Sequence, residues 1–405
     1  MITGSYRDIT DAAIDPNSGG TFLLSLRDSP TPPPSEKKRM AQLPADEAEK
    51  VKWEAKYQGA KNTLKELFLD VLVVLGGNGT IAATVDFADR IESELDVSTK
   101  IICLPRTIDN DINTHTRHTL SDGNEVETAL CPGYPSAAEK LVRAARRLRT
   151  TATSTKRIFT LETMGRDAGW LALAATLGWA EVVIVPEVRA VTDPGITDAT
   201  DQRSFDKDTN DNFCRIVFDW YAKNRSVIVS VSEGTLPKPT DIYGPRKLIG
   251  AGDQVCAILK SYLEDEKNTD HLEETGVIRK VFPNKIDDEN CAITEVPEVR
   301  CQHTDYDPRM GAPSSYDIEL ARVLAYEKLK AMLRDGEFGR LPVLGSVLWE
   351  HELKDAGVNE AKTVEMRKAT QMLLPENPYY DKERLTSSKA FDDFLRRLVG
   401  EGLIE

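Results

Sequence analysis

Apolar positions in this chain cluster into short runs separated by amphipathic stretches, the pattern of parallel strands covered by helices. Uninterrupted apolar runs predict strands at 70–75, 101–104, 157–161, 182–185, 227–231 and 299–302. The absence of alternation in the run at 70–75 predicts a strand covered on both faces. Helical periodicity predicts helices at 136–149, 170–177, 211–223 and 315–333, the last opened by Ser314 and Asp317 as a capping pair. This alternation makes the chain an α/β protein.

Three stretches interrupt the pattern. The segment 29–35 is proline-rich and leads into a charged helix at 45–67. The polar segment 113–129 reads as an exposed lid or a surface excursion, and 264–290 is charged and lacks clear periodicity. No internal repeat at a solenoid period is present.

Length and charge narrow the classes. With 405 residues the chain is long enough for two cores. A net charge of −14 and a pI near 5.1 disfavour nucleic acid and anionic membranes, which reward basic surfaces. An anionic substrate therefore needs a local basic pocket. The cysteines Cys103, Cys131, Cys214, Cys256, Cys291 and Cys301 form no C-x-x-C pair, which predicts reduced core thiols and a cytoplasmic location. No apolar stretch approaches the roughly 18 residues of a membrane span, and the N-terminus lacks a signal-peptide core. His115 and His118 form an H-x-x-H in a polar, Thr-rich setting that is short of ligands for a metal site.

The chemistry concentrates after two of the predicted strands. Pro105-Arg106-Thr107-Ile108-Asp109-Asn110-Asp111 places two carboxylates, an amide and a hydroxyl just beyond the run at 101–104. In open α/β folds this is the edge where ligands bind. One carboxylate can take the proton of an attacking hydroxyl while the next faces a metal ion, as phosphoryl transfer requires. Taken alone, D-N-D also suits a plain Asx-turn. Upstream, the run at 70–75 enters Gly76-Gly77-Asn78-Gly79-Thr80, and residues 81–84 read as a helix start. A strand, glycine turn and helix point backbone N–H groups at a phosphate.

These motifs resemble those of the phosphofructokinase family. Gly76 to Thr80 is similar to the family's GGDG[ST] loop and Pro105 to Asp111 to its P-[GK]-TIDND loop. Met164-Gly165-Arg166, with Ala168-Gly169-Trp170, resembles its MGR-x-x-G segment. Ser232-Glu233-Gly234, Arg309-Met310-Gly311-Ala312-Pro313 and the GGTFLGSAR-like Gly19 to Arg27 complete six motifs in family order. The resemblance implies two Rossmann-like α/β domains with mainly parallel sheets and an active site in the cleft. It divides the chain into a donor domain at 1–135, a sugar-phosphate domain at 136–309, a returning segment at 310–375 and a C-terminal helical segment at 376–405.

The resemblance also implies roles. Asp109 would draw the proton from the C1 hydroxyl of fructose 6-phosphate. Asp111 would help hold magnesium and orient the base, with Asn78 beside the metal. Thr107 would hydrogen-bond the transferring phosphoryl group and Arg166 would stabilise its charge. Met164, Gly165, Glu233, Tyr306 and Arg309 would contact the sugar phosphate. Arg157 and Arg300 would reach a neighbouring subunit's site, which implies a homodimer or homotetramer with shared sites. Gly76, Gly77, Asn78, Gly79, Thr80, Arg27 and Arg106 would face the phosphoryl donor.

Departures from the family pattern bear on activity. The family's first strand and glycine-rich donor loop have no counterpart before Gly19, so one strand–loop–helix unit is expected to be absent, by a truncated gene model or in a degenerate paralogue. Asn78 stands where the family has aspartate, and a neutral amide binds a dication more weakly. Tyr306 replaces a histidine. Gly79 favours ATP because the pyrophosphate branch commonly carries an acid there, whereas Arg106 pulls toward pyrophosphate. The balance tips slightly to ATP. Two functions follow: a 6-phosphofructokinase, or a catalytically impaired relative that binds sugar phosphate or nucleotide as a regulatory subunit.

Overall fold

The structure, a computed structural model, describes residues 30–32, 44, 48–94, 97–112, 117–119, 125–127, 131–166, 168–186, 191, 206–236, 250–281, 293–338, 341–343 and 346–348. The described residues form two compact units, one of those up to Ser136 with those from Arg309 onward, the other from Ala137 to Pro308.

The first unit opens with α1 (Ala48–Glu66), β1 (Val71–Gly76), α2 (Asn78–Glu94) and β2 (Lys100–Pro105). Strands β1 and β2 pair in parallel from Val71–Lys100 to Gly76–Pro105, with α2 as the crossover. Tyr57, Ala60 and Leu64 of α1 and Phe87 and Ile91 of α2 pack with Ile101 of β2. Leu64, Phe87, Ile91 and Ile101 each contribute roughly 1.5–3 kcal/mol when fully buried.

Strand β2 is buried from Ile101 to Pro105, but β1 is not covered on both faces as its apolar run predicts. Its residues are half-buried, and Leu75 is 53% exposed. Among the described residues β1 pairs only with β2, so it is a sheet edge, where an apolar run no longer guarantees burial. A two-stranded antiparallel ladder, β3 (Arg117–Thr119) with β4 (Glu125–Glu127), lies within the segment 113–129. Helix α3 (Tyr134–Thr155) then carries the chain into the second unit.

The second unit follows as β5 (Arg157–Thr163), α4 (Trp170–Ala174) ending in a 3-10 turn, β6 (Val182–Ile184), α5 (Lys207–Asn224), β7 (Val227–Ser232) and α6 (Ala251–Glu264). It closes with α7 (Thr269–Glu274), β8 (Arg279–Val281), β9 (Ile293–Glu295) and β10 (Glu298–His303). The main sheet is parallel throughout, in the order β10-β5-β7-β6.

Alternate strand residues feed opposite cores. Ile158, Val227, Val229 and Val231 pack with Val217 and Phe218 of α5 and Val255 and Leu259 of α6. Phe159, Leu161 and Ile228 pack instead with Ala145 and Ala152 of α3. Both faces are therefore covered, the reason for the unbroken apolar runs.

Three features escaped the periodicity. Helix α5 begins four residues before its first clearly periodic position because Asp206 caps it, accepting from the Asp208 and Thr209 amides. The segment 264–290 contains α7 and β8, both too short to show a period. The last predicted helix is α8 (Ser315–Arg322), which passes through a π-helical turn into α9 (Leu329–Asp335). Beyond it β11 (Leu341–Val343) and β12 (Ser346–Leu348) form an antiparallel pair, with β11 beside β2.

Cys103, Cys131, Cys214, Cys256 and Cys301 are free thiols, and Cys291 lies outside the described residues. Burial pushes the Cys103 and Cys131 thiols up to about 12, which makes them inert core groups at neutral pH. No helix among the described residues is long and apolar enough to cross a membrane.

Candidate active site

The acidic loop leaves the end of β2 under tight control. The Arg106 amide donates to the Gly76 carbonyl (2.8 Å) and the Thr107 amide to the Pro132 carbonyl (3.0 Å). The Thr107 hydroxyl donates to Asp111 Oδ1 at 2.9 Å and accepts the Asp109 N–H at 3.1 Å. One hydroxyl thus ties the Asp111 carboxylate to the backbone of Asp109. Asp109 and Asp111 are half-buried and Arg106 is exposed. Asp111 and the Thr107 hydroxyl offer adjacent oxygen donors of the kind a hard cation such as Mg²⁺ takes.

Asn110 has a different part from the one its amide suggests. It is buried, adopts a left-handed backbone (φ 51°), and accepts the Cys131 N–H through Oδ1 at 2.9 Å. Asparagine tolerates that conformation better than most residues. The amide is therefore a fixture of the turn rather than a group open to a ligand.

A carboxylate distant in sequence supports the same loop. Asp317, 4% exposed, accepts the Gly133 N–H (2.7 Å), the Ser136 N–H (2.8 Å) and the Ser136 hydroxyl. It thereby caps the start of α3, where an anion is favoured. Gly133 bridges Thr107 in turn. Ser314 does cap α8, accepting the Asp317 N–H at 3.2 Å, but the Asp317 carboxylate turns to α3 instead of back to Ser314. The sequence reading captured half of that pair.

The glycine loop is shorter than its motif. Helix α2 starts at Asn78, and the Ile81 amide already donates to the Gly77 carbonyl at 3.0 Å. Gly79 and Thr80 therefore sit, exposed, in the first helical turn, where unpaired N–H groups attract anions. A Cβ at Gly79 would meet nothing within 4 Å.

In the second unit, Met164-Gly165-Arg166 and Ser232-Glu233-Gly234 are locked together. The Gly165 N–H donates to Glu233 Oε1 (3.2 Å), the Gly234 N–H to the Gly165 carbonyl (3.1 Å) and the Ser232 hydroxyl to the same carbonyl (2.6 Å). A Cβ at Gly234 would lie 1.7 Å from the Arg166 carbonyl oxygen, so only glycine fits. Arg166 is left exposed and Met164 half-buried.

Strands β5 and β10 bring Arg157 and Arg300 to one carboxylate, Glu298, with which both pair. Arg300 first, then Arg157, hold the Glu298 carboxyl below its ordinary value. Tyr306 and Arg309 are exposed. Arg27 and His115 lie outside the described residues.

Two motif sets at the carboxyl ends of parallel strands call for comparison with known proteins. The family model Phosphofructokinase matches residues 5–332. The chain belongs to the phosphofructokinase family. It is 30% identical over 286 residues to the pyrophosphate–fructose 6-phosphate 1-phosphotransferase of Thermoproteus tenax, covering 70% of this chain and 66% of that relative. It is 28% identical over 316 residues to the ATP-dependent 6-phosphofructokinase 3 of Streptomyces coelicolor, covering 75% of this chain and 72% of that one. The first of these alignments spans just under two thirds of its relative. Among solved structures, the phosphofructokinase of Pichia pastoris in the T-state aligns at TM-score 0.54 and 18% identity, over 89% of this chain and 31% of that one. That likeness concerns fold alone. As a phosphofructokinase-family chain, it combines mainly parallel α/β sheets with the expected motif order. The residues missed by sequence reasoning, Asp317 and Glu298, act on the motifs through contacts across long stretches of chain.

Proposed function

We propose that this chain is a 6-phosphofructokinase that transfers a phosphoryl group from ATP or pyrophosphate to the C1 hydroxyl of fructose 6-phosphate. The observation that carries the reading is the Thr107 hydroxyl, which donates to the Asp111 carboxylate and accepts the Asp109 backbone N–H, at the end of a buried parallel strand. Asp109 accepts the proton of the attacking hydroxyl, and Asp111, oriented by Thr107, supports it. Asp111, with Asn78 from the start of α2, would hold Mg²⁺, which when bound neutralises charge on the donor phosphates. The Thr107 proton is directed at Asp111, so the hydroxyl must rotate to donate to a phosphoryl oxygen.

The residues at 1–135, with the returning segment at 310–375, serve the donor, and 136–309 serves the sugar phosphate. Gly76, Gly77, Gly79 and Thr80 offer backbone N–H groups to the donor, with Arg27 and Arg106 as cationic partners. Open space around Gly79 supports an adenine nucleotide over pyrophosphate. Met164, Gly165, Glu233, Tyr306 and Arg309 receive the sugar phosphate, and Arg166 stabilises the transferring group. Arg157 and Arg300 complete a neighbouring subunit's site in a homodimer or homotetramer, for which Glu298 keeps both guanidiniums together. The enzyme works in the cytoplasm, in glycolysis.

Assays of the purified chain with fructose 6-phosphate and Mg²⁺, using ATP and pyrophosphate in turn, test this. Turnover is expected with at least one donor, and Asp109→Asn should lower it by about 10²–10⁴ while sugar-phosphate binding persists. Unchanged turnover in Asp109→Asn would overturn the base assignment. Absence of turnover with both donors would overturn the function.

A further inference from the structure

A side-chain cluster on the second unit, apart from the residues discussed above, converges in a way none of the motifs requires. Cys301 and His303 lie two residues apart on β10 and so share a face of the strand. Asp253 approaches them from the first turn of α6. The ligating atoms of the three all lie within 4.8 Å of one another.

The individual spacings are those of a coordination sphere. Cys301 Sγ lies 3.6 Å from His303 Nε2, and Asp253 Oδ2 lies 3.3 Å from the same nitrogen. Bonds to zinc of about 2.3 Å from sulfur and about 2.0–2.1 Å from nitrogen or oxygen, opened to tetrahedral angles, separate S from N by about 3.6 Å and N from O by about 3.4 Å. A single ring N–H cannot point along both directions at once, whereas a cation between them is faced by all three.

The surroundings complete the pattern. Glu162 of β5, whose side chain is 9% exposed, sits 3.6 Å from His303 Nδ1, the ring nitrogen that the cluster does not use. Its carboxylate is fixed by the Gly250 and Gly252 amides at 3.2 and 2.6 Å. A carboxylate behind a ligating histidine orients the ring and raises its basicity. A Cβ at Gly252 would fall 2.9 Å from Cys301 Sγ and 2.9 Å from Glu162 Cβ, so glycine there is what lets α6 approach. Asp253 remains 63% exposed, which leaves a fourth position open to water.

We propose that Asp253, Cys301 and His303 bind one Zn²⁺, which ties the start of α6 to β10. Sulfur, imidazole nitrogen and carboxylate suit zinc, and the thiol selects against magnesium and calcium. On binding, the Cys301 S–H bond breaks, its proton passes to solvent, and the sulfur's electron pair forms the bond to zinc. The site is independent of the assignment of phosphoryl transfer.

The test uses the tag-free, full-length chain stripped with a chelator. Addition of Co²⁺ should produce a thiolate-to-cobalt charge-transfer band that saturates at one equivalent and is abolished by Zn²⁺. Competition with a chromogenic chelator should show Cys301→Ser and His303→Asn each weakening Zn²⁺ binding by more than about 100-fold, beyond what loss of an outer partner costs. Cys256→Ser should leave it unchanged. Two variants guard against misfolding of either one. No charge-transfer band, or one that persists in both Cys301→Ser and His303→Asn, would overturn the proposal.

Discussion

The acidic loop of the first unit and the glycine turn of the second both follow a parallel strand, yet they are held by opposite means. The acidic loop depends on side chains: Thr107 on Asp111, Asn110 on the Cys131 amide, Asp317 on the Gly133 and Ser136 amides. The glycine turn, although Glu233 and Ser232 also hydrogen-bond Gly165, depends above all on the absence of a side chain at Gly234, which admits the Arg166 carbonyl where any Cβ would stand. The first arrangement can be weakened one hydrogen bond at a time. The second tolerates almost nothing.

The contrast predicts a graded series. Gly234→Ala should have the largest effect, costing more than about 3 kcal/mol, because the Arg166 carbonyl is backbone and cannot yield as a flexible side chain does. Denaturant unfolding measures it, and hydrogen exchange should rise in the second unit first. An unaltered midpoint would show that the turn has room the geometry denies.

Asp317→Ala should come next, at about 2–4 kcal/mol, since it strands buried amides at the start of α3. Here exchange should rise at Thr107 and Gly133. A protected acidic loop in this variant would mean that Thr107 and Asn110 suffice alone.

The smallest effect is electrostatic and confined to the second unit. Arg279, then Lys156, hold the Glu295 carboxyl down to about 2 from an ordinary 4.5. A depressed carboxylate stabilises the fold above its unfolded pKa and loses that contribution as pH falls from about 4.5 toward about 2. Thermal midpoints followed from pH 6 to pH 3 (about the span that covers the upper part of this transition) should therefore drop further in the wild type than in Glu295→Gln. Parallel curves would remove the pairing from the account.

Much of this was legible in the chain. The strands of the second unit announced themselves because both faces of β5 and β7 are covered, which demands apolar residues at every position. The family motifs were legible as well, since they consist of glycine, carboxylate and hydroxyl residues within a few positions of one another. The same logic failed for β1, whose apolar run lies at an edge with Leu75 exposed. It left Asn110 open, because an asparagine in a left-handed turn looks the same in sequence as one that meets a ligand.

The sequence by itself determined the order of the longer strands and helices, the family and the identity of the chemical groups, because each depends on periodicity or on residues within a few positions of one another. Only the tertiary structure decided what those groups touch. Asp317 reaches Gly133, Glu298 gathers Arg157 and Arg300, and Asp253 meets Cys301 and His303 through pairings set by packing and strand register. Hydrogen bonds and ligand spacings act over about 3 Å, and no local pattern records which distant residues folding will bring within that range.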